Sequence, residues 1–231
     1  MIEQLKLALA GKSAVEIIRY ISDQFGDQAV FSTSFGIEDQ VITHILADQN
    51  AKTSIFTLET GRLFPETYYV WNRTLERYNL PIKTYFPNTE AVEQLISSKG
   101  PSSFYNSVEN RKECCYIRKI EPLKRAIKGF KVWLTGIRAE QSPNREDMDF
   151  IEWDAANQII KIHPIFYWTL GQVEEFLKIN HIPYNPLHDK GFPSIGCQPC
   201  TRAVAPGEDF RAGRWWWEDK SKKECGLHAT R

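Results

Sequence analysis

The five cysteines of this 231-residue chain stand at 114, 115, 197, 200 and 225, an odd number that cannot all close into pairs. Cys114 and Cys115 are adjacent, and Cys197-Gln198-Pro199-Cys200 is a CxxC. Neighbouring cysteines are badly placed to bridge each other, whereas four thiolates from two such pairs suit a tetrahedral Zn²⁺ or an iron–sulfur cluster. Spacing alone leaves both open. Structural zinc usually pairs two CxxC knuckles, and no thioredoxin-like strand–helix–strand context surrounds the CxxC to make it a redox disulfide. Arg111, Lys112, Arg118 and Lys119 flank the first pair and Arg202 follows the second. Cations there offset the negative charge of a four-thiolate site, and Lys119 is singled out as the one to couple it to a substrate.

Cys225 is left over, in Glu224-Cys225-Gly226-Leu227-His228. A histidine three residues on and Lys220, Lys222 and Lys223 just before it supply what a stabilised thiolate nucleophile needs. Terminal segments move readily, so such a thiol can enter a site and later meet a partner. Between the CxxC and Cys225, Arg211 and Arg214 are placed to clamp an anion, with Trp215-Trp216-Trp217 packing behind them.

Three further stretches suggest an anion with a nucleotide attached. Ser32-Thr33-Ser34-Phe35-Gly36-Ile37-Glu38-Asp39 joins a strand-like run to a helix-like one, so small residues let the backbone approach and the helix start attracts negative charge. It is neither a Walker A motif nor a GxGxxG. Glu59-Thr60-Gly61-Arg62 and Thr135-Gly136-Ile137-Arg138 follow two other strand-like runs, and Arg138 brings a planar fork suited to phosphate or sulfate.

The elements that must position these residues alternate. Strand-like runs cover 29–32, 53–58, 82–86 and 132–135; helical periodicity covers 14–25, 37–49, 65–78 and 117–127. That alternation predicts an α/β fold with a parallel sheet flanked by crossover helices, whose ligands bind beyond the carboxyl ends of the strands. Residues 150–153 and 159–163 read as a hairpin or two edge strands, and Thr169 with Gln172 forms a capping box for a helix to Ile179. From Leu187 onward periodicity disappears, and a loop-rich stretch of that length needs a bound group to organise it. The expectation is one domain over 1–231: a helical segment 1–25, a nucleotide-binding core 26–186, and a cluster-binding, catalytic tail 187–231.

Composition sets the outer bounds. Hydrophobic residues are 42% and charged residues 25%, and Lys+Arg and Asp+Glu are both 29, giving zero formal net charge. A neutral, ordinary chain of this kind is neither fibrous nor disordered and carries no overall basic excess for nucleic acid or an anionic membrane. It has no apolar window of membrane-spanning length, and the residues after Met1 lack a basic, then apolar, leader pattern. A cytoplasmic location is expected, where thiols stay reduced.

Taken together, Ser34-Phe35-Gly36 with Glu38-Asp39, Glu59-Thr60-Gly61, Cys114-Cys115 with Arg118-Lys119, Thr135-Gly136-Ile137-Arg138, Cys197/Cys200, Arg211 to Trp217 and the Glu224 to His228 tail resemble the assimilatory adenylyl-sulfate (APS) reductases. These are relatives of the phosphoadenylyl-sulfate (PAPS) reductases. The resemblance covers roughly residues 26 to 231 and implies an adenine nucleotide α-hydrolase-like fold. It implies a [4Fe–4S] cluster on Cys114, Cys115, Cys197 and Cys200, and APS rather than PAPS as substrate, with PAPS or dual use as the alternative. The implied substrate contacts are Ser34, Leu58, Gly61, Arg138, Arg211 and Arg214. Cys225 is the implied nucleophile, aided by Lys119 and His228: it takes the sulfonate as S-sulfocysteine and releases AMP, and thioredoxin or glutaredoxin then releases sulfite. The chain carries no thioredoxin-like domain of its own, so the reductant is expected to be a separate protein. A homo-oligomer is compatible with all of this. Rival readings are a zinc-stabilised nucleotide-binding module without activity and an ATP-dependent adenylating or thiolating enzyme on the same type of fold.

Overall fold

The computed structural model describes residues 2–141, 145 and 148–218. Its centre is a six-stranded sheet in the order β3-β2-β1-β4-β6-β5, built from β1 (Ala29–Thr33), β2 (Ser54–Leu58), β3 (Ile82–Tyr85), β4 (Val132–Leu134), β5 (Ile151–Asp154) and β6 (Ile159–Ile162). β1 pairs in parallel with β2 and β4, and β4 in parallel with β6; β5 runs antiparallel on the outer side of β6. The hairpin expected from sequence is therefore present, but only β5 is an edge. β6 is interior and buried at every position, which its unbroken Ile-Ile-Lys-Ile run reflects.

Helices α1 (Ile2–Leu9), α2 (Ala14–Phe25), α3 (Ile37–Asp48), α4 (Pro65–Tyr78), α5 (Thr89–Lys99), α6 (Val108–Cys115), α7 (Glu121–Ile127) and α8 (Leu170–Ile179) accompany the sheet. Local chemistry sets their ends. Ser13 with Glu16 and Thr169 with Gln172 form complete capping boxes at α2 and α8. Helix α5 is absent from the periodicity reading because only Leu95 of its residues is buried, leaving no apolar stripe to detect. Its cap signals are nonetheless local: the Asn88 side chain accepts from the Ala91 N–H, and Gly100 ends it at φ 83°.

The chain divides into two compact units. The first contains the residues to Thr57, Pro65–Lys83 and Gly129–Pro186, and its core joins Ile18 and Ile21, Phe31, Val41 and Ile42, Val132 and Leu134, Ile162 and Val173. Each such side chain contributes roughly 1.5–3 kcal/mol by leaving water. The second contains Leu58–Phe64, Thr84–Lys128 and the chain from Leu187, with a small core of Leu95, Phe104 and Cys114 against Ile117, Cys200 and Trp217. No helix among the described residues is long and apolar enough to cross a membrane.

Candidate functional site: a four-cysteine hollow and two strand-end turns

In the second unit, Cys114 and Cys115 close α6, ahead of the helical run read from sequence at 117–127. Ser107 is the reason: its hydroxyl accepts from the Asn110 N–H and starts the helix early. The chain continues through one π-helical turn, Tyr116–Ile120, into α7. Arg118 and Lys119 lie four residues beyond Cys114 and Cys115, so each cysteine shares a helix face with a cation. Single π turns inside helices recur at functional sites.

The four thiols meet at one hollow lined by Cys114, Cys115, Cys197 and Cys200 with Arg62, Phe104, Arg111, Arg118 and Lys119. None of the four is in a disulfide. The CxxC is a tight turn, with the Cys200 N–H donating to the Cys197 carbonyl at 2.9 Å. It is fastened from both sides. The Gln198 N–H donates to the Arg62 carbonyl at 2.8 Å, and the Tyr105 hydroxyl to the Pro199 carbonyl at 2.6 Å. A short ladder ties it to the tail segment: the Trp215 N–H donates to the Cys200 carbonyl at 3.2 Å, Thr201 bridges Arg214, and the Arg202 N–H reaches the Gly213 carbonyl at 3.0 Å.

The thiols differ in acidity. Burial pushes Cys114 up, against the pull of Arg118 and Arg62, and burial with the neighbouring Cys197 pushes Cys200 up to about 12. Burial acts on Cys197 too, but Lys119, the Thr60 hydroxyl 3.3 Å from its sulfur, Arg214 and Arg118 outweigh it, and the net shift is down. A group binding all four as thiolates must therefore displace protons from Cys114 and Cys200, a cost that anionic-site cations lower.

Those cations are partly unsatisfied. Arg118 donates to the Thr60 carbonyl at 2.7 Å, but among the described residues its Nε has no acceptor, and neither has the buried Nε of Arg214. Buried donors without acceptors, beside four sulfurs, fit an anionic all-thiolate centre. Among the described residues no three Cys, His, Asp or Glu side chains clasp a position for a single metal ion.

Trp215 stacks on two arginines, with the guanidinium carbons of Arg111 and Arg214 at 4.6 and 4.9 Å from its ring centre. Gly196 leaves room for Arg214, since a Cβ there would stand 2.3 Å from Nη2. Arg211 lies in the same segment, its N–H bonded to the Asp209 carboxylate at 2.8 Å. Arg111, placed by the sequence among the cations flanking the first cysteine pair, is buried in a bidentate pair with Glu218. Gly61 has φ 71°, and a side chain there would press on Arg118, so glycine is needed in this turn. Thus Glu59–Arg62, read from sequence as a nucleotide turn, is bonded to the cysteine loop through Thr60 and Arg62, a role the sequence reading did not give them.

In the first unit, Ser34 and Arg138 follow the carboxyl ends of the adjacent strands β1 and β4. Arg138 is 1% exposed and already paired: Glu38 takes its Nε and Nη2 at 3.0 and 2.9 Å, and Glu140 its Nη1 at 2.7 Å. The open fork expected at this position is thus a buried ion pair here. Leu58 ends β2. Cys225 and His228 lie outside the described residues.

Residues 28–203 match the family model described as the phosphoadenosine phosphosulfate reductase domain. A Neisseria meningitidis protein named adenosine 5'-phosphosulfate reductase is 51% identical over 87% of this chain and 82% of its own. One of that name from Allochromatium vinosum is 47% identical over 94% of this chain and 84% of its own. Among solved structures, the phosphoadenylyl-sulfate (PAPS) reductase of Candida auris in a phosphate complex superposes with a TM-score of 0.75 at 28% identity, covering 88% of this chain and 96% of that one. Candida glabrata FMN adenylyltransferase, with FMN and an ATP analogue, shares the fold at 17% identity and a TM-score of 0.57. On this match of sequence and fold over most of its length, the chain belongs to the phosphoadenosine phosphosulfate reductase family.

Proposed function

We propose that this protein reduces APS to sulfite and AMP in sulfate assimilation, using Cys225 as nucleophile and a dithiol protein, thioredoxin or glutaredoxin, as reductant. The observation that carries the reading is the convergence of Cys114, Cys115, Cys197 and Cys200 with Arg118 and Lys119 on one hollow, in a chain whose relatives are named for APS reduction. The donor set is all thiol and flanked by cations, which suits a [4Fe–4S] cluster on the four cysteines. Such a cluster, when bound, contributes charge and organisation, felt at the substrate chiefly through Lys119.

The residues of the chain do the rest. The Cys225 thiolate attacks the sulfate sulfur; an S–S bond forms, the S–O bond to phosphate breaks, and AMP leaves with the electron pair. Arg211, Arg214, Lys119 and His228 neutralise the phosphosulfate, so the thiolate is not repelled and the departing phosphate is stabilised. A reductant thiolate then attacks the Cys225 sulfur and expels sulfite; its second thiol resolves the mixed disulfide, so the dithiol supplies both electrons. PAPS is the second reading, favoured by the likeness to the Candida auris PAPS reductase.

The test combines colour and mass. An anaerobic preparation is expected to be brown and to contain iron, and mixing with APS in the absence of reductant is expected to add one SO₃ group to the peptide carrying Cys225. A Cys225→Ser variant should keep iron and APS binding but form no adduct. A colourless, zinc-containing protein, or full turnover by Cys225→Ser, would sink the proposal, and initial rates on APS against PAPS decide between the two substrates.

A further inference from the structure

Asp39 stands in the first turn of α3, and its carboxylate meets groups from two different strand ends. It accepts from the Ser34 N–H and the Ser34 hydroxyl, each at 2.7 Å, and lies against the backbone of Gly136. Ser34 follows β1 and Gly136 follows β4, neighbours in the sheet. The fit at Gly136 is close: a Cβ there would lie 2.4 Å from the Asp39 carboxylate and 3.0 Å from the Glu38 Cβ, so the clasp requires a glycine. Between the two clasped points Phe35 sits buried at φ 60°, a conformation costly for a bulky residue, and stacks on Trp71 with ring centres 5.1 Å apart. A strained backbone, a carboxylate bonded across the turn and a forced glycine within one strand-end junction are more than folding of the junction needs.

We propose that Asp39 is a positioning residue for the nucleotide: its carboxylate clasps the turn after β1 to the turn after β4 and holds both in the form that receives substrate. The inference rests on the reading of these strand ends as the nucleotide site. Burial pushes the Asp39 carboxyl up to about 6, opposed by the Ser34 donors and the Gly136 backbone, with the neighbouring Glu38 adding to the rise. Among the described residues Glu38 is the charged group acting on it, and Glu38 is itself paired with Arg138, which also holds Glu140. Protonation replaces an acceptor by a donor facing the Ser34 N–H and hydroxyl, and the clasp opens.

Equilibrium binding of APS is measured from pH 5 to 8 on a Cys225→Ser background, which prevents turnover; APS carries only strongly acidic groups and keeps its charge across that range. One group titrating at about 6 predicts affinity about tenfold weaker at pH 5 than at pH 7. A histidine at the anion would titrate in the opposite sense, strengthening binding in acid. Asp39→Asn is expected to bind at least about tenfold more weakly at pH 7 and without the acid loss. Ser34→Ala, in an exposed turn, removes one stabilising donor and should move the break to higher pH. Asp39→Asn binding as the parent does at pH 7, or sharing its pH profile, overturns the proposal; if that variant does not fold, an unmoved break in Ser34→Ala does so. Absence of APS binding by the parent at every pH overturns the nucleotide reading itself.

Discussion

Arg111 and Glu218 are 1% and 3% exposed at their side chains and meet through two bonds of 2.8 Å, Nε to Oε1 and Nη2 to Oε2. Removing the carboxylate alone, by Glu218→Leu, takes from a guanidinium buried beneath Trp215 the two bonds and the counter-charge that Glu218 supplies, which costs about 3–5 kcal/mol. That is a large part of the 5–15 kcal/mol that holds a typical domain together. It corresponds to a fall in Tm of roughly 6–20 °C for a chain of this size. Glu218→Gln keeps the shape and one acceptor and should lose roughly 1.5–3 kcal/mol, the value of a hydrogen bond to a charged group. Replacing both partners, Arg111→Met with Glu218→Leu, removes the buried charge with its counter-charge and should recover most of the loss. The assay is urea unfolding of the parent, Glu218→Leu, Glu218→Gln, Arg111→Met and the double variant, followed by far-UV circular dichroism and tryptophan fluorescence, with the interaction energy taken from the double-mutant cycle. A Glu218→Leu loss under about 1 kcal/mol, or two single losses that simply add in the double variant, would refute the argument, because either means the pair is solvated.

Two further outcomes are expected. Gly213→Ala places a Cβ 2.2 Å from the Arg202 carbonyl oxygen, a backbone atom that cannot turn aside, so the ladder to the CxxC must open. The loss is expected at about 1–3 kcal/mol in urea, with less iron per chain where the proposed cluster is loaded; neither changing would show the ladder to be dispensable. His163 is fully buried between the Thr135 hydroxyl at 2.7 Å and the Glu152 carboxylate at 3.4 Å, and burial lowers its pKa. A depressed histidine contributes stability that is present above its unfolded value near 6.5 and is lost as pH falls through the folded one. Thermal melts from pH 8 to 5 should therefore decline, and the decline should flatten in His163→Gln; parallel curves would assign the acid loss to other groups.

Strands were legible where burial on both faces leaves an unbroken apolar run. The reading of 29–32, 53–58 and 132–135 lies within a residue of β1, β2 and β4 at each end, because interior parallel strands need no polar alternation. The Thr169 and Gln172 capping box was legible because its chemistry is complete within four residues. Helix α5, with one buried residue, had no stripe to read. At the site, the pairing of Cys114 with Arg118 and Cys115 with Lys119 follows from helical spacing, whereas the helix end that carries them depended on a cap at Ser107.

The sequence by itself determined which chemistry was available: two cysteine pairs, cations a helical turn away, a leftover thiol beside a histidine, and turns of small residues after β-branched runs. These are properties of residue type and short spacing, governed by bond geometry and helix pitch. Tertiary structure decided which groups were left to use that chemistry. Arg138 looked open but is held by Glu38, a hundred positions away; Arg111 looked like a cation flanking the cysteines but is buried with Glu218; Thr60 reads as a turn residue but bonds the Cys197 sulfur. Desolvation and the occupation of hydrogen-bond donors depend on what the rest of the chain brings near, and no local window of sequence contains that information.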